Sequence, residues 1–294
     1  KSLSCDWTEH NANLLMIKKM GIKGDAISPL GAMYLEDNPQ RHLLRAKNYY
    51  KKEIEIKKTY PIEIKPKKKI HIGYFSGNFY EHAMMHLLGS LFKIHDRERF
   101  KVYAYSFGSR KYDSYTEAVA SGVDIFEDIR DITDMEAANL ARNQKIDIAI
   151  DLMGYSENNR MNIFSYRAAP IQINYLGYPG TSGSSCIDYI IADKVIIPPE
   201  CQSDYSEKVV YLPNSYQCNN RNRKLSDKHS YISRKEMGLP ENSFVFTCFN
   251  ASKKINPKEF LIWINLLKKV QKSVLWLMSS NRYAERNLKN EAYR

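Results

Sequence analysis

From residue 69 onward, short apolar runs rich in Ile, Val, Tyr and Phe alternate with longer stretches whose apolar positions recur every three or four residues. The runs are KIHIGYFSG (69–77), FKVYAYSFG (100–108), IDIAIDLMG (146–154), IQINYLG (171–177), DYIIAD (188–193) and KVVYLP (208–213). HAMMHLLGSLFKIH, DSYTEAVASG, DMEAANLARNQ and ENNRMNIFSYR lie between them with helical spacing. Strands alternating with helices predict βαβ units and a mostly parallel sheet covered on both faces. The continuously apolar IAI core of the third run fits a strand buried on both sides.

The pattern differs at the two ends. Residues 1–62 read as a helical segment and basic linker, with Leu14, Leu15, Ile17 and Met20 on one helical stripe. SPLGAMYLEDNPQRHLLRAKNYYKK predicts two short helices, the first capped by Ser28 with Pro29 behind it. Residues 63–215 form a first Rossmann-like domain, and the polar stretch 216–242 a connector. SFVFTCFN (243–250), PKEFLIWINLLKKV and SVLWLM (273–278) then predict the opening βαβ of a second Rossmann-like domain, cut short at Arg294. The fold class expected is therefore α/β.

Composition narrows the class without naming a chemistry. Hydrophobic residues make up 43% and charged residues 26% of 294 positions, which fits a soluble globular protein of about two domains. No run approaches the ~18 apolar residues of a membrane helix. The start, KSLSCDWTEH, lacks the apolar core of a signal peptide and lacks a methionine, so it reads as the start of a fragment. Five scattered cysteines with no CxxC point to a reducing compartment, hence a cytoplasmic location, with neither a disulfide framework nor structural zinc. Net charge is +11, much of it between Arg45 and Lys69. A lysine-rich solvated linker explains that stretch better than a nucleic-acid surface, in a chain biased toward Lys, Asn, Ile and Tyr throughout.

In open α/β sheets, ligands bind beyond the carboxyl ends of the strands. The segments SGNFYEHAMMH, MGYSENNR, GYPGTSG and NASKKINP follow predicted strands and so carry the candidate chemistry. A loop of Gly177, Pro179, Gly180 and Gly183, stiffened by Pro179, could present the bare N–H groups of its other residues to a ligand, or mark a plain tight turn. His82 begins the helix after the first strand, where an imidazole can handle a proton near neutral pH or serve the helix start. His82 and His86 have the i, i+4 spacing of zinc ligands, but Ala83 stands where HExxH has Glu, and no metal is expected. Asn256, Pro257 and Glu259 match a helix N-cap, first turn and capping box. Lys253 and Lys254 stand beside that helix start, an arrangement suited to a diphosphate whose charge grows as it departs. Arg160 could clamp a phosphate or carboxylate bidentately, although an ordinary surface arginine is the simpler reading. Asp151, near a strand end, fits a polar site residue or a satisfied structural carboxylate.

In order along the chain stand CDWTEH (5–10), SPLGAMYLEDNP (28–39), HIGYFSGNFYEHAMMHLL (71–88), RAAPIQINYLGYPGTSG (167–183), DYIIAD (188–193), YSEKVVYLP (205–213), and CFNASKKINP (248–257) with SVLWLM behind it. Together they resemble the catalytic region of the O-linked N-acetylglucosamine transferases, glycosyltransferase family 41, incomplete at the C-terminus. The resemblance implies a GT-B architecture, with two Rossmann-like domains and the donor between them. It implies inverting transfer of N-acetylglucosamine from UDP-GlcNAc, a substrate and not a cofactor, to Ser or Thr of proteins. It implies no metal, and tetratricopeptide repeats upstream of Lys1 that recruit protein acceptors; no nucleic acid and no membrane are expected as partners from the charge and hydropathy pattern. Residue by residue, His82 matches the histidine proposed as base or orienting group. Lys254 matches the lysine that stabilises the departing diphosphate. Tyr155 and Arg160 match substrate-binding positions, and Gly177, Pro179 and Gly180 the loop lining the sugar and acceptor site. His82 and Lys254 are then expected to face one another.

The chain departs from the family pattern at three positions. Asn78 stands where Asp is usual, Ala83 where Pro is common, and Ala251 where animal members carry a nucleotide-contacting Gln. Two other functions remain open at this stage: a non-catalytic interaction scaffold with a transferase-like domain, and a transferase acting on a non-protein acceptor.

Overall fold

The computed structural model describes residues 1–54, 62–63, 66–110, 112–220 and 232–294. Contacts divide the chain into two units, Lys19–Arg223 on one hand and Lys1–Lys18 with Lys224–Arg294 on the other.

The first unit is built on a seven-stranded sheet. Its strands are β1 (Ile70–Ser76), β2 (Phe100–Ser106), β3 (Ile125–Asp128), β4 (Ile148–Asp151), β5 (Ile171–Asn174), β6 (Tyr189–Ala192) and β7 (Lys208–Tyr211). The order is β3-β2-β1-β4-β5-β6-β7, and every pairing is parallel. Apolar residues line both faces, as the sequence pattern requires. Ile72, Tyr74, Val102 and Ala104 pack into one core cluster with Met85, Leu88 and Phe92. Phe75, Tyr103 and Tyr105 point the other way, into a cluster with Ala141 and Phe164. Phe75 and Tyr105 stack with ring centroids 4.3 Å apart.

Helices cover these faces and obey their capping signals. In chain order α1 (His10–Ile17) belongs to the other unit, and α2 (Pro29–Met33) and α3 (Pro39–Glu53) precede the sheet. Ser28 accepts the N–H of Gly31 at the start of α2, and Asn38 that of Arg41 at the start of α3. Along the sheet follow α4 (Ala83–Leu88), α5 (Leu91–Ile94), α6 (Ser114–Ala120), α7 (Asp134–Asn143) and α8 (Asn162–Ser165).

Four details differ from the sequence expectations. Edge strand β3 was hidden because its run, IFED, is half acidic. The single helix expected over 82–95 breaks into α4 and α5 at Gly89 and Ser90. The stretch 157–167 forms only the short α8, because the backbone is left-handed at Asn158 and Arg167 (φ 58° and 60°) on either side of it. The basic linker expected from Arg45 begins inside α3: Arg45 is 1% exposed, pairs with Glu36 and donates to the Met20 carbonyl at 2.8 Å. Residues 55–61, 64 and 65 of that linker, and 221–231 of the connector, lie outside the described residues.

The second unit holds β8 (Phe244–Cys248), α9 (Pro257–Lys269), β9 (Ser273–Leu277) and α10 (Arg282–Tyr293), with β8 and β9 parallel. The first residues of the chain are stitched into it. The Leu3 carbonyl accepts from Ser252 Oγ at 2.9 Å and from Asn281 Nδ2 at 2.8 Å, and Ser4 O accepts from Asn287 Nδ2 at 2.9 Å. Cys5 is fully buried against Phe260 and Leu288, and Trp7 packs on Phe260. Among the described residues no helix is long and apolar enough to cross a membrane.

Candidate active site

The strand order reverses between β1 and β4, whose carboxyl ends are neighbours in the sheet. A crevice forms at such a point because the chains leaving the two strands depart in opposite directions. The segments leaving β1, β4 and β5 there carry His82, Tyr155 and the glycine loop. Two of them touch directly, since Asn78 Nδ2 lies 3.3 Å from Met153 Sδ.

His82 is the N-cap of α4, with extended backbone, and its Nδ1 accepts the N–H of Met84 at 3.2 Å. An Nδ1 that accepts has no proton, so the neutral ring carries its proton on Nε2. Burial holds its pKa below the usual histidine value, and the nearby His86 adds to the effect. The loop is fixed from α6. The α6 cap Asp113 accepts the Glu81 N–H at 2.8 Å, and Thr116 Oγ1 donates to the Phe79 carbonyl at 2.8 Å. Asp113 was not among the sequence candidates, although DSYT ahead of a helical run marks a cap.

At the end of β4, Asp151 is completely buried. Burial pushes its carboxyl up to about 6, although the N–H groups of Met153 and Gly154 donate to it at 2.8 and 3.1 Å. It thus organises the turn that leads to Tyr155. The Tyr155 ring is buried against Tyr49 and Tyr178, and its hydroxyl donates to the Ser182 carbonyl at 2.6 Å. Arg160 donates from Nε to Asp134 at 2.6 Å, from Nη1 to Ile129 O at 2.6 Å and from Nη2 to Ile132 O at 2.7 Å. Those bonds make it a brace between the loop after β4 and the segment leading into α7.

The glycine loop is closely packed. A Cβ on Gly177 would lie 1.9 Å from the Leu152 carbonyl oxygen, so only glycine fits there. Gly180 is buried against the hydroxyl end of Tyr178, and the carbonyl of Pro179 accepts the Tyr205 hydroxyl at 3.2 Å. Asn174 Nδ2 donates to Tyr178 O at 3.0 Å from the end of β5. Tyr155 and the glycine loop are thereby joined in one packed assembly.

Lys254 belongs to the second unit. It is exposed, in a short 3₁₀ turn (Ser252–Lys254) after β8, with Nζ 3.5 Å from Asn250 Oδ1. Asn256 Oδ1 caps α9 by accepting the N–H groups of Lys258 and Glu259 at 3.0 and 3.2 Å, with Pro257 in the first position. A lysine beside a helix N-terminus is a suitable seat for an anion.

This topology is that of a Rossmann-like α/β domain, with candidate site loops at the carboxyl ends of its central strands. A family-wide profile described as "Glycosyl transferase family 41" matches residues 45–230 and 218–294, and the chain belongs to that family. A "Probable UDP-N-acetylglucosamine--peptide N-acetylglucosaminyltransferase SEC" from Arabidopsis thaliana is 37% identical over 214 residues, 72% of this chain and 22% of its own length. A relative of the same description, SPINDLY, from Solanum lycopersicum is 30% identical over 220 residues, covering 71% of this chain and 22% of its own length. The chain therefore spans about a fifth of the curated relatives it matches. Among solved structures, "Thermobaculum terrenum O-GlcNAc transferase mutant - K341M" superposes with a TM-score of 0.75 at 23% identity, over 97% of this chain and 52% of that one. That likeness shows a shared fold.

Proposed function

We propose that the protein to which this chain belongs transfers N-acetylglucosamine from UDP-GlcNAc to Ser or Thr hydroxyls of proteins, with inversion at the sugar carbon. The observation that carries this is the placement of His82, Tyr155 and a rigid glycine loop at adjacent strand ends, where the strand order reverses. The names of the family-41 relatives supply the donor and the peptide acceptor.

In this reading the acceptor oxygen attacks the sugar C1 from the face opposite the diphosphate, and the bond from C1 to the phosphate oxygen breaks. Lys254 and the amides at the start of α9 offset the charge that grows on the departing UDP, so no metal ion is required. His82 donates from Nε2 to the acceptor oxygen and orients it, because Nδ1 is engaged by Met84. The hydroxyl proton then leaves to a phosphate oxygen of the donor. Tyr155 and Arg160 act through the loops they hold, and Gly177, Pro179 and Gly180 line the acceptor side. UDP-GlcNAc is consumed as a substrate, with no bound cofactor. We place the protein in the cytoplasm, with tetratricopeptide repeats ahead of Lys1 presenting the acceptors.

The test is mass spectrometry of proteins co-expressed with the full-length protein. Added N-acetylhexosamine on Ser or Thr is the expected result. Its absence, together with no binding of UDP in calorimetry, favours the non-catalytic scaffold.

A further inference from the structure

We propose that Glu207 is a positioning residue that latches the glycine loop and thereby sets the acceptor side of the site. This rests on the function proposed above. Glu207 stands immediately before β7 and is 4% exposed. It accepts from the hydroxyl of Thr181 at 2.8 Å, from the backbone N–H of Ser182 at 2.7 Å, from the hydroxyl of Ser182, and from Ser206 Oγ at 3.1 Å. Burying a carboxylate is costly unless donors satisfy its oxygens. Here the donors come from the loop itself and from the residue beside Glu207.

The dependence runs both ways. Without the carboxylate, the buried Ser182 amide loses its acceptor, which costs more than an ordinary hydrogen bond contributes, and the Thr181 and Ser182 hydroxyls are left with only the Ser206 and Ser184 hydroxyls to donate to. The neighbouring residues extend the grip. Tyr205 donates to Pro179 O at 3.2 Å, and the N–H of Ser206 donates to Thr181 Oγ1 at 3.0 Å. The segment Tyr205–Ser206–Glu207 therefore holds the loop at Pro179, Thr181 and Ser182. On the far side, a Cβ on Gly183 would come within 2.4 Å of Lys47 N, so α3 leaves the loop no room to move away. A loop clamped between α3 and the start of β7 has a single backbone position to offer an acceptor, and positioning at this level governs rate.

The test compares wild type with Glu207→Leu, which removes every acceptor, and Thr181→Val in the full-length protein. Hydrogen exchange is followed at Ser182, whose N–H Glu207 accepts, with UDP affinity and acceptor kinetics measured in parallel. Glu207→Leu should raise exchange at that amide on the order of ten- to a hundred-fold. It should lower kcat/KM for the acceptor about ten-fold or more, with UDP affinity changed less than about two-fold. Thr181→Val keeps the side-chain shape, should give a smaller shift in the same direction, and carries the comparison if Glu207→Leu does not fold. Unchanged exchange overturns the latch. Raised exchange with unchanged kinetics, or an equal loss of UDP binding and transfer, overturns the positioning role. A wild-type protein that transfers no sugar overturns the proposed function and not the latch, which the exchange comparison then decides alone.

Discussion

Asp113 accepts the backbone N–H of Glu81 at 2.8 Å, one residue before His82. The same carboxylate caps α6 through Tyr115 and Thr116. Burial opposes its charge, yet the N–H groups of Glu81, Thr116 and Tyr115 and the Thr116 hydroxyl hold its pKa below the ordinary value. Asp113→Ala should cost about 1 kcal/mol of stability through the lost cap. It should also reduce transfer, because the His82 loop loses an anchor. Asp113→Asn, which can still accept, should recover most of the stability in a denaturant titration, and equal losses for both variants would refute the capping role.

The hydrogen bond from Met84 to His82 Nδ1 makes the ring a donor at Nε2. His82→Asn can keep both features, with its oxygen accepting from Met84 and its amide facing the acceptor. It should retain at least about ten-fold more activity than His82→Ala, whereas a required proton acceptor would leave both variants equally slow. Protonating the ring places a proton on Nδ1 and breaks the cap. His82 titrates below the ordinary 6.5, so this contribution is present at neutral pH and is lost as pH falls through the lowered value. The acid limb of the rate profile should lie below pH 6.5, and His86→Gln, which removes a neighbouring positive charge, should move it upward.

Asp151 titrates near 6 because burial raises it from 3.8. Between those values the folded protein holds a proton that the unfolded chain has released, so stability falls as pH rises through that window. Asp151→Asn removes the effect. Relative to wild type, the variant should gain on the order of 3 kcal/mol between pH 4 and pH 7 in denaturant unfolding. Parallel pH curves for the two proteins would contradict the burial argument.

The strands were legible wherever apolar runs were continuous, as at IAI in β4, because a strand covered on both faces admits no polar alternation. β3 escaped notice for the converse reason, as an edge strand whose IFED run is half acidic. Ser28 and Asn256 declared their helices because caps are local chemistry. Non-local relationships left no such trace. Nothing in KSLSCDW says that Leu3 and Ser4 bond to Ser252, Asn281 and Asn287. YSEK and GTSG could be seen as separate motifs, but not as an acceptor and its donors. His82 was legible as a candidate, while its proton position required the geometry of Met84. Arg160 could be read as a surface arginine or an anion clamp, and only its bonds to Asp134, Ile129 and Ile132 show the brace.

The most direct test is single-turnover transfer from UDP-GlcNAc to an acceptor peptide by the full-length protein and its Lys254→Ala variant. If His82 on the acceptor side and Lys254 on the leaving-group side serve one reaction, the variant should lose on the order of 10²–10³ in rate while still folding. Transfer by Lys254→Ala at a near wild-type rate would contradict the account.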